Sequence, residues 1–309
     1  MKIHIPKITV LMPVYNGMPY LAEAVDSILN QMLKHFTFMI INDGSTDETE
    51  HYLNRLDDKR LRIVHQPNLG LGASLNKGIS MCETEFIARM DSDDVALPGR
   101  LEAQLSFLDH HEEVGLVGAQ FAYLGASGHQ GFSPPMPCEH KAIYTDLFRG
   151  RIAIMHPSIM CRTSVLKSIG GYRVEGIGED WDMFLRMGEA TKLANLEEVL
   201  YLYRLNSASI TVRQLLETRM RVNHACHSAA QRAEGLPEIS FDTFVAEQHR
   251  RSFLQRAGNA MDTYALAQYR HALAEILGSH RVLGYARLAW AAMCAPRRTS
   301  QRIYRKLRK

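Results

Sequence analysis

Short apolar runs alternate with helix-period patterns through the first two hundred residues of this 309-residue chain. Ile8–Val14 ("ITVLMPV") is a mostly apolar run of strand length, and Phe36–Asn42, Leu61–Gln66 and Thr84–Met90 read as further strands. Between the first two runs, Leu21, Val25, Ile28 and Leu29 recur at helical spacing behind Pro19, a residue suited to a first helical turn. "DGSTDETEHYL" offers Ser45 or Thr46 as a helix cap with acidic residues in the turn that follows. "NLGLGASLNKGI" bends from a loop into a further helix. Such strand–helix alternation predicts an α/β fold, a mostly parallel sheet covered by helices on both faces.

From Leu97 the pattern changes. "LPGRLEAQLSFLDHH" reads as helix, Val114–Leu124 as a strand, Ser133–Pro137 ("SPPMP") as a loop and Ile152–Arg162 as extended chain. "GEDWDMFLRMGEA" predicts a helix with Trp181, Phe184 and Leu185 on one face, and "LEEVLYLYRL" a closing strand. Beyond Thr211 nearly every pattern is helical, so two regions are expected, 1–210 and a helical 211–309. His224 and His227, three apart on one of these helices, read as part of a solvated face.

Charge adds little for the whole chain and much for its end. A net charge of +3 is too mild to argue for nucleic acid, and no recognition motif accompanies it. After Glu275, however, no acidic residue occurs while Arg and Lys accumulate, a tail suited to a negative surface such as an anionic membrane. The five cysteines are scattered without a CxxC pair, which favours reduced thiols over a disulfide framework or a zinc site. The N-terminal run, broken by Pro13, reads as a core strand rather than a signal peptide. No stretch reaches the length needed to span a bilayer. The expected location is the cytoplasm, or the inner face of the cell membrane.

Candidate chemistry collects where the strands end. In an open α/β sheet, ligands bind outside the carboxyl ends of the strands. Tyr15-Asn16-Gly17, Asp43-Gly44-Ser45 and Asp91-Ser92-Asp93-Asp94 each follow a predicted strand. Three carboxylates within four positions repel one another and call for a cation, and their oxygens suit a magnesium-like ion that shares its shell with a substrate diphosphate. The bland alternative is a solvated turn whose Asp91 or Asp94 caps the helix beyond Pro98. Asp43 could likewise serve only its Asp-Gly turn, or accept a hydrogen bond from a nucleobase. "GLGASL" lacks the third glycine of a dinucleotide loop, and no P-loop is present. Glu179-Asp180, behind Gly176-Ile177-Gly178, form a second acidic pair; helix N-termini favour acidic residues anyway, a reading that accounts better for one than for two.

"VLMPVYNG", "IINDGSTD", "RMDSDD", "GGY" at Gly170–Tyr172 and "GEDWDMFLR", in this order, resemble the glycosyltransferases of family two with the GT-A fold, a Rossmann-like sheet. The likeness extends over roughly residues 7 to 205, "NLGLGASLNKGI" included; the C-terminal third does not share it. It implies an inverting transfer of a sugar from a nucleotide-sugar, by family habit a UDP-sugar, to a hydroxyl of a glycan or lipid-linked acceptor in surface polysaccharide synthesis. Carried over, Pro13, Tyr15, Asn16, Asp43, Gly44, Ser45, Asn68, Arg89 and Asp91 would hold the nucleotide, and Asp43 the base. Asp91 and Asp93 would be the D-x-D pair, with Asp93 the direct ligand of Mn2+ or Mg2+; Asp180 would be the general base, with Glu179 beside it. A helix N-terminus would keep Asp180 ionised and only weakly basic. Where the family often carries a histidine after its Tyr-Arg pair, this chain has Asn206, and His156 in "MHPSIM" falls in a segment that often faces the acceptor. Two alternatives accompany the reading: a polyprenyl-phosphate glycosyltransferase, and a nucleotide-sugar sensor or scaffold without turnover.

Overall fold

The computed structural model describes residues 6–125, 128, 130–173, 178–205, 212–250, 253–278 and 280–295. The chain packs as two compact units, one of residues 1–122 and 132–203, the other of residues 123–131 and 204–309.

The first unit opens as the pattern predicts: β1 (Ile8–Val14), α1 (Leu21–Leu29), β2 (Thr37–Asp43), α2 (Thr49–Leu53), β3 (Leu61–Gln66), α3 (Leu71–Met81) and β4 (Phe86–Arg89). Every residue of β1 is buried, as expected of a strand covered on both faces. In α1, Leu21, Ala24, Val25 and Ile28 form one buried stripe at helical spacing. Gly78 lets α3 lie against β1, because a Cβ there would overlap the Leu11 side chain. These four strands pair in the order β3-β2-β1-β4, all parallel. The chain therefore steps away from β1 through β2 and β3, then returns to β4 on the other side. That reversal opens a crevice at the carboxyl ends of β1 and β4, where α/β sheets take their ligands.

The remaining strands extend the sheet in a different sense. After β5 (Val95–Ala96) and α4 (Arg100–His110) come β6 (Val114–Leu124), β7 (Gln130–Phe132), α5 (His140–Phe148), β8 (Met160–Arg162), α6 (Thr163–Ser168), α7 (Glu179–Ala190) and β9 (Lys192–Arg204). The sheet continues from β4 through β8, β6 and β9 to β5. β8 joins both β4 and β6 antiparallel, and β5 joins β9 antiparallel. The parallel arrangement thus belongs to the first half, and β8 marks the change.

Two local expectations are overturned. Ser45 and Thr46 do not cap α2, which begins at Thr49 behind Glu48 without a side-chain cap; the Thr46 amide instead donates to Asn16 Oδ1. Neither Asp91 nor Asp94 caps α4, whose cap position is Gly99 in the left-handed region.

Besides the strand residues it takes from 123–131, the second unit holds the helices α8 (Val212–Ala233), α9 (Phe241–His249), α10 (Phe253–Leu277) and α11 (Arg281–Cys294). Ser240 caps α9 by accepting the Thr243 amide. His224 and His227 are not a solvated face. Both rings pack on Phe244, and the His224 Nε2 lies 2.9 Å from the Ile239 carbonyl oxygen. The aromatic positions of α9 supplied that partner, and the spacing of the histidines alone could not show it. Asn206, Gly176-Ile177 and the basic residues from Arg297 onward lie outside the described residues.

Candidate active site

Loops beyond β1 and β2 are fastened to each other. Asn16, in the left-handed region at φ 50°, turns its Oδ1 to the Thr46 amide at 2.8 Å, and its own amide donates to Ser45 Oγ at 3.0 Å. The Gly17 amide donates to Thr49 Oγ1 at 2.9 Å. Gly44 allows the next loop to close: at φ 71°, a Cβ would sit 2.6 Å from the Asn68 amide nitrogen. Tyr15, about half exposed, and the exposed Asn68 stand on this rim, whereas Pro13 is buried inside β1. The structure brings Tyr15, Asn16, Asp43, Gly44, Ser45 and Asn68 to one edge and leaves Pro13 beneath it.

Asp43 is buried and well supplied with donors. Its Oδ1 accepts from Gln66 Nε2 at 2.6 Å and the Leu69 amide at 2.9 Å, and its Oδ2 from the Gly70 amide at 2.8 Å. Burial by itself would raise this carboxyl's pKa, but those donors outweigh it and hold the group below its ordinary value. Asp43 thus secures the loop into α3, with the Ser74 hydroxyl as a further donor to its carboxylate.

The acidic cluster after β4 has cations built in. Arg89, 3% exposed, pairs with Asp91 Oδ1 at 2.6 Å. Arg100, fully buried, donates to the Arg89 carbonyl at 2.6 Å and the Ile159 carbonyl at 3.3 Å, so it ties the end of β4 to the turn before β8. Its guanidinium lies over the Tyr201 ring at 5.0 Å, and burial, opposed by Tyr201 and Asp94, lowers its pKa to about 10, still charged at neutral pH. Asp91, Asp93 and Asp94 each offer a carboxylate oxygen within 4.8 Å of the others. That all-oxygen set fits a hard divalent cation such as Mg2+ or Mn2+. Two guanidiniums therefore help to make the cluster tolerable before any metal is considered. Arg89 also leaves Nε and Nη1 buried without a hydrogen-bond partner. Orphaned donors of this kind cost about 1–3 kcal/mol each and are tolerated where a ligand is to be met.

Asp180 belongs to the same electrostatic environment. It sits in the first turn of α7 behind Gly178, whose φ of 95° suits glycine, and its Oδ1 accepts the Trp181 amide at 2.9 Å. Burial raises its pKa; the Trp181 amide and Arg89 pull it down, Asp91 pushes it up, and the balance is upward. The expectation of a weakly basic, dipole-stabilised carboxylate is thereby corrected: desolvation outweighs the helix terminus. Glu179 is raised as well, by burial first and by Asp180 second. Asp180 feels the charges of both Arg89 and Asp91, so the two acidic segments lie within electrostatic reach of each other.

A framework that the sequence did not announce supports this centre. Asn76 on α3 clamps Tyr172 on both sides, accepting its amide at 2.9 Å and donating to its carbonyl at 2.7 Å. The Tyr172 hydroxyl meets His156 Nε2 at 2.8 Å, and burial keeps that imidazole neutral. Asp182 pairs with Arg186 at 2.7 Å, and Arg186 donates to the Gly171 carbonyl at 2.7 Å, fastening α7 to the Gly170–Tyr172 loop. Only the "GGY" and "WDMFLR" strings hinted at this; Arg100 and Asn76 carried no local signal.

The half-parallel sheet with its flanking helices is of the GT-A type found in solved glycosyltransferase structures. The sequence profile of Glycosyl transferase family 2 matches residues 9–170, and the chain belongs to that family, an enzyme family. It is 31% identical to the glycosyltransferase EpsE of Bacillus subtilis over 265 residues, 82% of this chain and 91% of EpsE. It is 30% identical to the amylovoran biosynthesis glycosyltransferase AmsE of Erwinia amylovora over 198 residues, 63% of this chain and 74% of AmsE. In fold it resembles S. aureus TarS 1-349 in complex with UDP-GlcNAc (TM-score 0.62, 17% identity, 94% of this chain and 92% of that one). It likewise resembles the mannosyltransferase PcManGT of Pyrobaculum calidifontis in complex with GDP-Man and Mn2+ (TM-score 0.60, 20% identity, 97% and 84%).

Proposed function

We propose that this chain is an inverting, divalent-metal-dependent glycosyltransferase. In this reading it moves a sugar from a nucleotide-sugar, in our reading a UDP-sugar, to a hydroxyl of a glycan or lipid-linked acceptor during surface polysaccharide synthesis in the cytoplasm. The observation that carries the reading is Asp180, a carboxylate raised by burial while coupled to Arg89 and Asp91. A donor complex with Mn2+ in the PcManGT structure supports metal use, and the name of AmsE supports a polysaccharide product.

The residues divide the work. Tyr15, Asn16, Asp43, Gly44, Ser45 and Asn68 supply the edge on which the nucleoside rests, with Asp43 Oδ2 accepting a base N–H. Asp93 and Asp91 would hold the divalent ion, which when bound neutralises charge on the departing diphosphate. Arg89, with its two unsatisfied nitrogens, adds positive potential beside them. Asp180 takes the proton of the acceptor hydroxyl. That oxygen bonds to the anomeric carbon on the face opposite the phosphate, and the carbon–phosphate-oxygen bond breaks with its electron pair leaving on the diphosphate. The raised pKa suits this role, because the ideal general base titrates close to the working pH. It also favours a hydroxyl acceptor over a polyprenyl phosphate, which arrives already anionic. Glu179 stands beside Asp180, and its own carboxyl is raised by burial and by that neighbour.

Thermal-shift measurements with UDP-, GDP- and CDP-sugars, with and without Mn2+, test the assignment. One base is expected to give a Mn2+-dependent shift that disappears in Asp93→Ala. Absence of a shift with all three donors would overturn it.

A further inference from the structure

The second unit carries a surface that glycosyl transfer does not use. Helix α11 lies on α10, and Gly284 sets its seat: a Cβ there would come 2.7 Å from Ile276 Cγ1 and 2.8 Å from the Ala272 carbonyl oxygen. Glycine is needed for so close an approach, and it fixes which side of α11 faces inward. Arg287 fastens the same side, paired with Glu275 at 2.9 Å and donating to Gln268 at 3.0 Å. Outward go Val282 (85% exposed), Tyr285 (60%), Trp290 (50%) and Met293 (66%). Their spacing of three, five and three residues places them along one face of the helix. Isolated exposed apolar residues are ordinary, but four large ones on one broad face form a patch that marks a contact surface.

Charge indicates what covers it. No Asp or Glu follows Glu275, Arg281 opens the helix, and seven Lys and Arg residues fall between positions 297 and 309. A second copy of this chain would bring the same positive charge against it. An anionic lipid surface satisfies both features, taking the apolar side chains at the acyl boundary and the cations at the headgroups. Among the described residues no helix is long and apolar enough to cross a membrane, so a helix lying in the interface is the form that fits.

We propose that α11 is an interfacial helix that docks the second unit on an anionic phospholipid surface, with Val282, Tyr285, Trp290 and Met293 facing the lipid. The inference rests on the second unit alone; it deepens the proposed function only by bringing the enzyme to a lipid-linked acceptor.

The test uses the full chain sedimented with vesicles of phosphatidylcholine alone or of equal parts phosphatidylcholine and phosphatidylglycerol. Binding is expected only to the anionic vesicles, and it weakens with added salt. The paired substitutions Trp290→Ser and Met293→Ser, both at exposed positions, are expected to weaken binding by at least about tenfold without changing donor-induced thermal shifts. The chain has two tryptophans, and Trp181 is buried, so a blue shift of emission on anionic vesicles reports Trp290. Undiminished binding by the double variant, equal binding to neutral vesicles, or a dimer in light scattering that the double variant dissolves would each overturn the inference. Vesicle binding by a chain that takes no nucleotide-sugar would contradict the proposed function and leave this inference standing.

Discussion

Asp43 and Asp180 are carboxylates of the same unit, and the protein surrounds them in opposite ways. Asp43 is closed off from solvent, yet donors from Gln66, Leu69 and Gly70 within 2.9 Å, with Ser74 beside them, hold it ionised. Asp180 receives the Trp181 amide, stands near two other carboxylates, and is pushed toward its protonated form. The difference separates two tasks. A group that fastens a loop and presents an acceptor gains from a fixed charge. A group that must take a proton gains from a charge it holds reluctantly. The balance of burial against donors decides the outcome: desolvation prevails at Asp180 and the donors prevail at Asp43.

The widest separation between the two is expected in rate. Asp180→Asn keeps shape but cannot accept a proton, so transfer should fall by about 10²–10⁴-fold while donor affinity is unchanged. Equal losses of transfer and donor affinity would place Asp180 in binding instead. Stability should separate them next. Asp43→Asn sets an amide NH2 against the Gln66, Leu69 or Gly70 donors and should cost about 1–3 kcal/mol in denaturant unfolding. Asp180→Asn should instead raise the melting temperature at neutral pH, since it removes a charge the fold disfavours.

The smallest effect is in how stability depends on pH, and its sign differs between the two. Asp43, lowered in the folded chain, contributes stability that is present above the ordinary value of 3.8 and lost as pH falls through its folded value. Asp180, raised, contributes nothing unfavourable below 3.8 and an increasing penalty as pH rises toward its folded value. Melting curves of the two Asn variants against pH should therefore diverge from the parent in opposite directions above that window.

Much of this was legible in the sequence, for a definite reason. β1, β3 and β6 begin and end where their patterns predict; the fully buried β1 shows why, since a strand covered on both faces must be mostly apolar. Polar groups at the carboxyl ends of the strands could likewise be read, because a strand's end fixes where its loop emerges. What escaped was made by partners distant in sequence. Asn16 claims the Thr46 amide thirty residues away, Asn76 clamps Tyr172 across ninety-six, and Arg100 reaches Ile159 across fifty-nine. The antiparallel join at β8 escaped for the same reason, since Met160–Arg162 is too short to declare its neighbours. At Asp180 the helix terminus is visible in the sequence, whereas the desolvation that outweighs it is made by the fold.

Carbon-13 NMR titration of the Asp43 and Asp180 side-chain carboxyls, assigned through the two Asn variants, measures the difference most directly. Asp180 should titrate above 3.8 and Asp43 below it. Coincident midpoints, or Asp180 the lower of the two, would show that the fold does not hold Asp180 as a base.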